Sequence, residues 1–205
     1  HLQPAPSKNE LTLETWVRWE GDDVDRPWVA RWDKSGQKQY LLRVADEPGL
    51  IECCINTDAD ALAPFGTQFC VVSEEPINDN RCHHLVCRYN RNPLTGGGPE
   101  NTLTLFIDAQ KVATNTNARG NLVDTTQSTR VFCYSDGVSN CPTEETVMCV
   151  ENVALYDFAL PEERIQRHFL GCDGCNPTPT ATVTPTGTPP TATPTRRRGG
   201  DPKIL

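Results

Sequence analysis

Two pairs of adjacent carboxylates, Glu74–Glu75 and Glu144–Glu145, one pair of adjacent histidines, His83–His84, and one Cys-X-X-Cys, Cys172 to Cys175, are the residues whose types and spacing could do chemistry. A retaining glycosidase needs two carboxyl groups about 5–5.5 Å apart, a separation that strand positions i and i+2 on one face provide. Adjacent strand residues instead point to opposite faces, so neither glutamate pair supplies it. In loops such pairs are solvated. The same geometry keeps His83 and His84 from sharing one metal ion or one nucleophile, and predicts one imidazole buried and hydrogen-bonded, the other exposed. Cys172-Asp-Gly-Cys175 has the spacing of half a zinc site, yet the sequence has no second Cys-X-X-Cys and no suitably spaced histidine. No serine or cysteine sits in a nucleophile motif. The residues therefore predict no catalytic group and a protein that is not an enzyme.

The cysteines read as structural. There are ten in 205 residues, Cys53, Cys54, Cys70, Cys82, Cys87, Cys133, Cys141, Cys149, Cys172 and Cys175, an even count that all precedes Asn176. Such density predicts disulfides and an oxidising compartment, with the pairing not readable from spacing. The start at His1, followed by a stretch with neither a basic opening nor an apolar run, fits a mature secreted N-terminus. No segment approaches the ~18 apolar residues of a membrane span. The expected location is extracellular, secreted or cell-surface. The net charge of −8 is uneven: Arg196, Arg197, Arg198 and Lys203 against Asp201 give the last ten residues +3, which leaves −11 for the body. An acidic body argues against nucleic acid or an anionic membrane as partner.

The elements that must position any site read as strands. In Leu-Thr-Leu-Glu-Thr-Trp-Val-Arg-Trp, Leu11, Leu13, Val17 and Trp19 alternate with Thr12, Glu14, Trp16 and Arg18, the pattern of a half-buried strand. Nine further short segments follow in the same style, from PWVARW to ETVMCVENVALY, separated by turn formers such as Glu47-Pro48-Gly49 and Ser135-Asp136-Gly137. About ten strands at this spacing predict an antiparallel sandwich. One segment reads as helix: Pro161 at its first position, Glu162 and Glu163 in the first turn, then Ile165 and Phe169, ending near Gly171.

The segments LTLETWVRWE, YLLRV with GLIECCI, RCHHLVCRYN, LTLFIDAQKVA and VALYDFALPEERIQRHF occur in an order and spacing that resemble laminin G-like domains, concanavalin A-like jelly rolls of bacterial secreted proteins. The resemblance covers nearly all of residues 8–170 and implies an all-β, two-sheet jelly-roll sandwich with a short C-terminal helix. Two positions depart from the family pattern: Cys82 stands where a Trp usually precedes the His pair, implying a disulfide in place of an aromatic core contact, and Ala109 stands where Gly is usual. The superfamily's Glu-X-Asp-X-Glu glucanase arrangement is missing, which argues again against an enzyme. Calcium is the cofactor the resemblance implies, and Asp108, Asp136 and Asp157, near strand ends, are its candidate ligands, against the plainer reading of turn and capping duty. Glycan binding is implied as well, with Trp16, Trp28 and Trp32 as candidate platforms, against the plainer reading of core indoles.

The organisation expected is an N-terminal extension (1–7), the sandwich (8–175), a Thr/Pro linker (176–195) and a basic peptide (196–205). The linker buries too little apolar surface to fold alone, and its nine threonines, Thr178, Thr180, Thr182, Thr184, Thr186, Thr188, Thr191, Thr193 and Thr195, are candidate O-glycosylation sites. As polyproline II it would reach roughly 60 Å, more than the diameter of the domain. Two functions compete. In the leading one the chain is a structural subunit that assembles with other copies of itself into a filament. There Arg196, Arg197 and Arg198 dock on the acidic body of a neighbour, and Ile204 and Leu205 anchor the contact. In the alternative the domain is a lectin-like module that binds a glycan or a protein.

Overall fold

In the computed structural model the described residues are 9–34, 36–60, 62–63, 66–91, 100–134 and 148–171. They form ten strands, β1 (Glu10–Glu20), β2 (Pro27–Trp32), β3 (Lys38–Val44), β4 (Ile51–Thr57), β5 (Thr67–Val72), β6 (Asp79–Asn90), β7 (Thr102–Ile107), β8 (Gln110–Asn115), β9 (Arg130–Val131) and β10 (Met148–Tyr156), and one helix, α1 (Glu162–Gly171). Every strand pairs antiparallel, in two five-stranded sheets: sheet A in the order β10-β1-β6-β7-β8 and sheet B in the order β5-β4-β3-β2-β9.

Strand alternation decides what lies between the sheets. Leu11, Leu13, Val17 and Trp19 of β1 face inward, as their spacing predicts, and meet Leu42, Val44, Ile51 and Ile55 of sheet B across the interior. Burying one such side chain stabilises the fold by roughly 1.5–3 kcal/mol. Trp28 belongs to this interior, fully buried and edge-to-face with Trp19 at 6.2 Å between ring centroids. The expectation of Trp28 as a glycan platform is therefore corrected: a register shift between Pro27 and Val29 turns the indole into the core, although it shares the parity of the outward Ala30 and Trp32.

A disulfide joins Cys53 of β4 to Cys87 of β6 through this core, linking the two sheets. Its neighbour Cys54 points the other way, as adjacent strand residues must, and pairs with Cys70 directly opposite on β5. Cys82 and Cys133 are also disulfide-bonded. Cys82 is only half-buried, so its bond does not replace a core aromatic as expected. Cys149, expected in a disulfide, carries a free thiol near Glu151 on edge strand β10. Cys141, Cys172 and Cys175 lie outside the described residues, as do Asp136, Glu144–Glu145, the nine linker threonines and the basic peptide with Arg196, Arg197, Arg198, Ile204 and Leu205.

The β7–β8 hairpin turns on two residues, Asp108 and Ala109, both with positive φ (52° and 61°), the type I′ geometry that matches strand twist. Alanine at such a position is strained, which is the physical reason glycine suits it. Ala109→Gly is expected to raise the unfolding free energy by about 0.5–1 kcal/mol, measured by chemical denaturation, the relief exceeding the loss of one half-buried methyl. β9 is shorter than the segment RVFCY predicts. Phe132 adopts a left-handed φ of 66° that ends the strand and brings its ring to 6.2 Å from Trp28.

The outer face of sheet A is partly covered by α1. Val86 and Phe106 on that face are covered by Leu160 and by Ile165 of α1. The helix begins where Pro161 and the acidic first turn predict, with the Pro161 carbonyl accepting from the amides of Arg164 and Ile165. Arg88, almost fully buried, lies over the Phe106 ring at 4.7 Å and donates to the Leu160 carbonyl at 3.0 Å and to Glu162 at 3.3 Å, fastening the helix N-terminus to β6.

Candidate functional site

Two clusters of polar side chains stand on the outer faces of the sandwich, one per sheet. On sheet B, a small apolar patch of Trp32, Leu41, Cys54 and Tyr134 is ringed by charge. Arg43 of β3 and Glu52 of β4 are direct cross-strand partners, and the Arg43 Nε donates to the Glu52 carboxylate. Asp25, in the segment between β1 and β2, accepts from Lys34 Nζ, Arg43 Nη1 and Tyr134 Oη at once. Gln68 of β5 closes one side, its amide 3.0 Å from the Cys70 sulfur. Lys38 Nζ lies 5.2 Å above the Trp32 ring, and Lys34 Nζ 4.8 Å above that of Tyr134. Together these residues line an open groove of about 270 Å³.

The network fixes the charge states. Burial pushes the Asp25 carboxyl up, but hydrogen bonds from Lys34, Tyr134 and Arg43 outweigh it and hold the group below the ordinary 3.8. Burial, with the Asp25 hydrogen bond, pushes the Tyr134 hydroxyl up, so it stays a donor. Burial lowers Arg43, and the Glu52 charge more than restores it. The groove presents the side chains of Arg43, Asp25, Glu52, Lys34, Lys38 and Gln68. Such planar and forked groups donate and accept in pairs.

On sheet A the second cluster borders an open pocket of about 390 Å³ beside α1, lined by Glu14, Trp16, Tyr156 and His168. Glu14, on the outward face of β1, accepts from His84 Nε2 of β6 at 2.7 Å, His168 Nδ1 of α1 at 2.9 Å and Tyr156 Oη of β10 at 2.9 Å. Burial pushes its carboxyl up, yet the hydrogen bonds from His84, Tyr156 and His168 and the His84 charge hold it below the ordinary 4.5. Trp16 packs against both His84 (4.8 Å) and Phe169 of the helix (5.7 Å), which also touch each other at 6.1 Å. With three donors on one carboxylate the cluster is a clasp for α1. Neither it nor the exposed Glu74–Glu75 pair has the two-carboxylate form of a glycosidase site.

The predicted residues fall into place unevenly. Trp32 lines the groove but is 4% exposed, and Trp16, equally covered, lies under α1, so no flat aromatic platform is presented by either. Asp108 spends both oxygens on β6, accepting from the His84 amide and pairing with His83 Nδ1 at 2.8 Å, which is turn duty rather than calcium ligation. Among the described residues Asp157 joins no group of three potential ligands. Among the described residues Glu52, Cys54 and Cys70 form such a group, and there the two sulfurs are bonded to each other. His84 is buried as expected, while His83 is mostly covered between Asp108 and Asp79 rather than exposed. The groove residues Asp25, Arg43, Glu52, Lys38 and Gln68 were not singled out by sequence reasoning. The Arg43–Glu52 pair was findable once YLLRV and LIECCI are set antiparallel about Glu47-Pro48-Gly49.

Two antiparallel sheets packed face to face, with a helix on one outer face and a polar groove on the other, define a jelly-roll sandwich. The chain belongs to the concanavalin A-like lectin/glucanases superfamily, whose laminin G family model matches residues 2–166. Among solved structures it is similar to a candidate carbohydrate-binding protein from Bacteroides ovatus (TM-score 0.57, 14% identity, 83% of this chain and 44% of that one). It is also similar to the receptor-binding domain of a botulinum neurotoxin C/D mosaic serotype (TM-score 0.56, 11% identity, 80% and 36%). The chain spans less than half the length of these structures, and at such identities the likeness is one of fold. No curated protein matches the chain.

Proposed function

We propose that the domain is a non-enzymatic, extracellular glycan-binding module whose ligand lies in the groove on the outer face of sheet B. The observation that carries this reading is the convergence of Asp25, Arg43, Glu52, Lys34, Lys38 and Gln68 on one open face, whereas in the pocket beside α1 on the opposite face Glu14 is already bonded to Tyr156 and His168. Sugar hydroxyls donate and accept together, and fixed planar groups meet neighbouring hydroxyls in pairs. The family and the carbohydrate-binding description of a structural relative support the same reading. They reverse the order of the two functions weighed from sequence, because filament assembly rested on the basic peptide, and neither the fold nor the relatives add support for it.

A glycan array on the full chain, followed by calorimetry on the best sugar, tests the proposal. Lys38→Ala and Gln68→Ala, which alter the groove without touching the core, are each expected to weaken binding by about ten-fold, as loss of a hydrogen bond worth roughly 1–2 kcal/mol implies. Retention of no glycan at all, or full affinity in both variants, would overturn it.

A further inference from the structure

We infer that the Cys54–Cys70 disulfide is a selectively reducible staple, opened by a dithiol while Cys53–Cys87 stays closed, and that opening it releases β5 from the groove. Adjacent residues of β4 hold two disulfides of opposite setting. Cys53 and Cys87 are both fully buried between the sheets, out of reach of any thiolate. Cys54 and Cys70 lie on the outer face, where Cys54 lines the groove but is itself 1% exposed, and Cys70, half-buried, is the sulfur that a thiolate can reach. Thiol–disulfide exchange requires an attacking thiolate to reach a sulfur, so access alone separates the two bonds.

The step balances as a two-electron reduction. One thiolate of the dithiol attacks Cys70 Sγ, the Cys54–Cys70 bond breaks, and Cys54 leaves as a thiolate. The second thiolate of the reagent then displaces Cys70, giving two protein thiols after protonation and a cyclic disulfide on the reagent. Attack is directed at Cys70 because Cys54 is buried in the apolar patch with Trp32, Leu41 and Tyr134; among the described residues the carboxylate within 4.8 Å of the sulfurs, Glu52, is already engaged by Arg43.

The consequence follows from position. β5 is the edge of sheet B, held by its ladder to β4 alone within that sheet, and the disulfide joins Cys54 to Cys70 directly across that ladder. Gln68, two residues from Cys70 on the same face, donates to its sulfur and so has its side chain set by the bond. Reduction removes that hold and frees the edge strand, while the buried Cys53–Cys87 link keeps the sandwich closed. The redox step stands on the structure by itself; its effect on a ligand rests on the groove reading above.

The test uses the full chain with dithiothreitol as the probe dithiol, quenched with an alkylating reagent and mapped by mass spectrometry, beside hydrogen exchange of the amides of Thr67–Val72. Cys54 and Cys70 are expected to be alkylated at least ~10-fold faster than Cys53 and Cys87, with exchange rising in β5 and unchanged in β6 and β7. The double variant Cys54→Ser with Cys70→Ser is expected to reproduce that exchange pattern without reductant. Simultaneous alkylation of both pairs, or a β5 protected equally in every form, overturns the inference. Affinity for an array-identified sugar is read in parallel: a sugar bound equally before and after selective reduction removes the groove's dependence on the staple. A chain that binds no sugar but shows selective reduction refutes the function proposed above and leaves the staple standing.

Discussion

Replacing Glu14 with alanine is expected to lower the unfolding free energy by about 3–5 kcal/mol, the range found when one member of a buried, hydrogen-bonded charge cluster is removed. Its side chain is 6% exposed, and its loss strands the fully buried His84 Nε2 along with the Tyr156 hydroxyl and His168. His84 is placed badly for this, because its Nδ1 has no hydrogen-bond partner even in the intact protein. The effect carries a pH signature. A carboxyl held below 4.5 in the folded state contributes stability that is complete above about pH 4.5 and is lost as the pH falls through the folded value. Denaturant midpoints of wild type and variant, measured from pH 7 down to pH 3, are expected to be far apart at neutral pH and to approach one another in acid. A constant gap across that range would show that the charge of Glu14 is not what matters.

The second large effect is expected from the core disulfide. Cys53→Ala with Cys87→Ala opens a 34-residue loop, for which chain-entropy reasoning gives a loss of about 4 kcal/mol, added to by the space the sulfurs leave in the core. A typical domain has only ~5–15 kcal/mol to lose, so the variant is expected to sit near its unfolding threshold at 37 °C. Thermal unfolding of this variant beside Cys54→Ser with Cys70→Ser separates the two bonds. The core pair is expected to lower the midpoint more, although both variants remove one disulfide. Equal drops would mean that the inter-sheet placement adds nothing.

The strands and the helix were legible in the sequence because each announces itself locally. Leu11, Leu13, Val17 and Trp19 keep period two, and Pro161 with Glu162 and Glu163 marks a helix start. The same alternation misled for the other face of β1. Thr12, Glu14 and Trp16 read as solvent-facing, but α1 folds back over them, and that contact joins residues about 150 positions apart. The clasp around Glu14 draws on β1, β6, β10 and α1, a juxtaposition that no window of sequence displays. The tryptophans failed as platforms for a related reason: an irregularity between Pro27 and Val29 turns Trp28 inward against its parity, and Trp32 is outward but covered by its neighbours. Of the groove, Arg43 and Glu52 were within reach as cross-strand partners, whereas Asp25 comes from an irregular segment whose path is set by the fold alone.

The pairing of β1 with β10 also decides how the domain would bear load. Thr12 lies opposite Tyr156, so the chain enters the first strand and leaves the last one at the same end of sheet A. A pull applied between Asn9 and Gly171 therefore acts along the inter-strand hydrogen bonds and opens them one after another, instead of shearing the whole ladder together. The domain would peel from β10 at low force. The grip of Glu14 on Tyr156 and His168 would be the first resistance met, and the Cys53–Cys87 link would keep the remainder of the two sheets from separating.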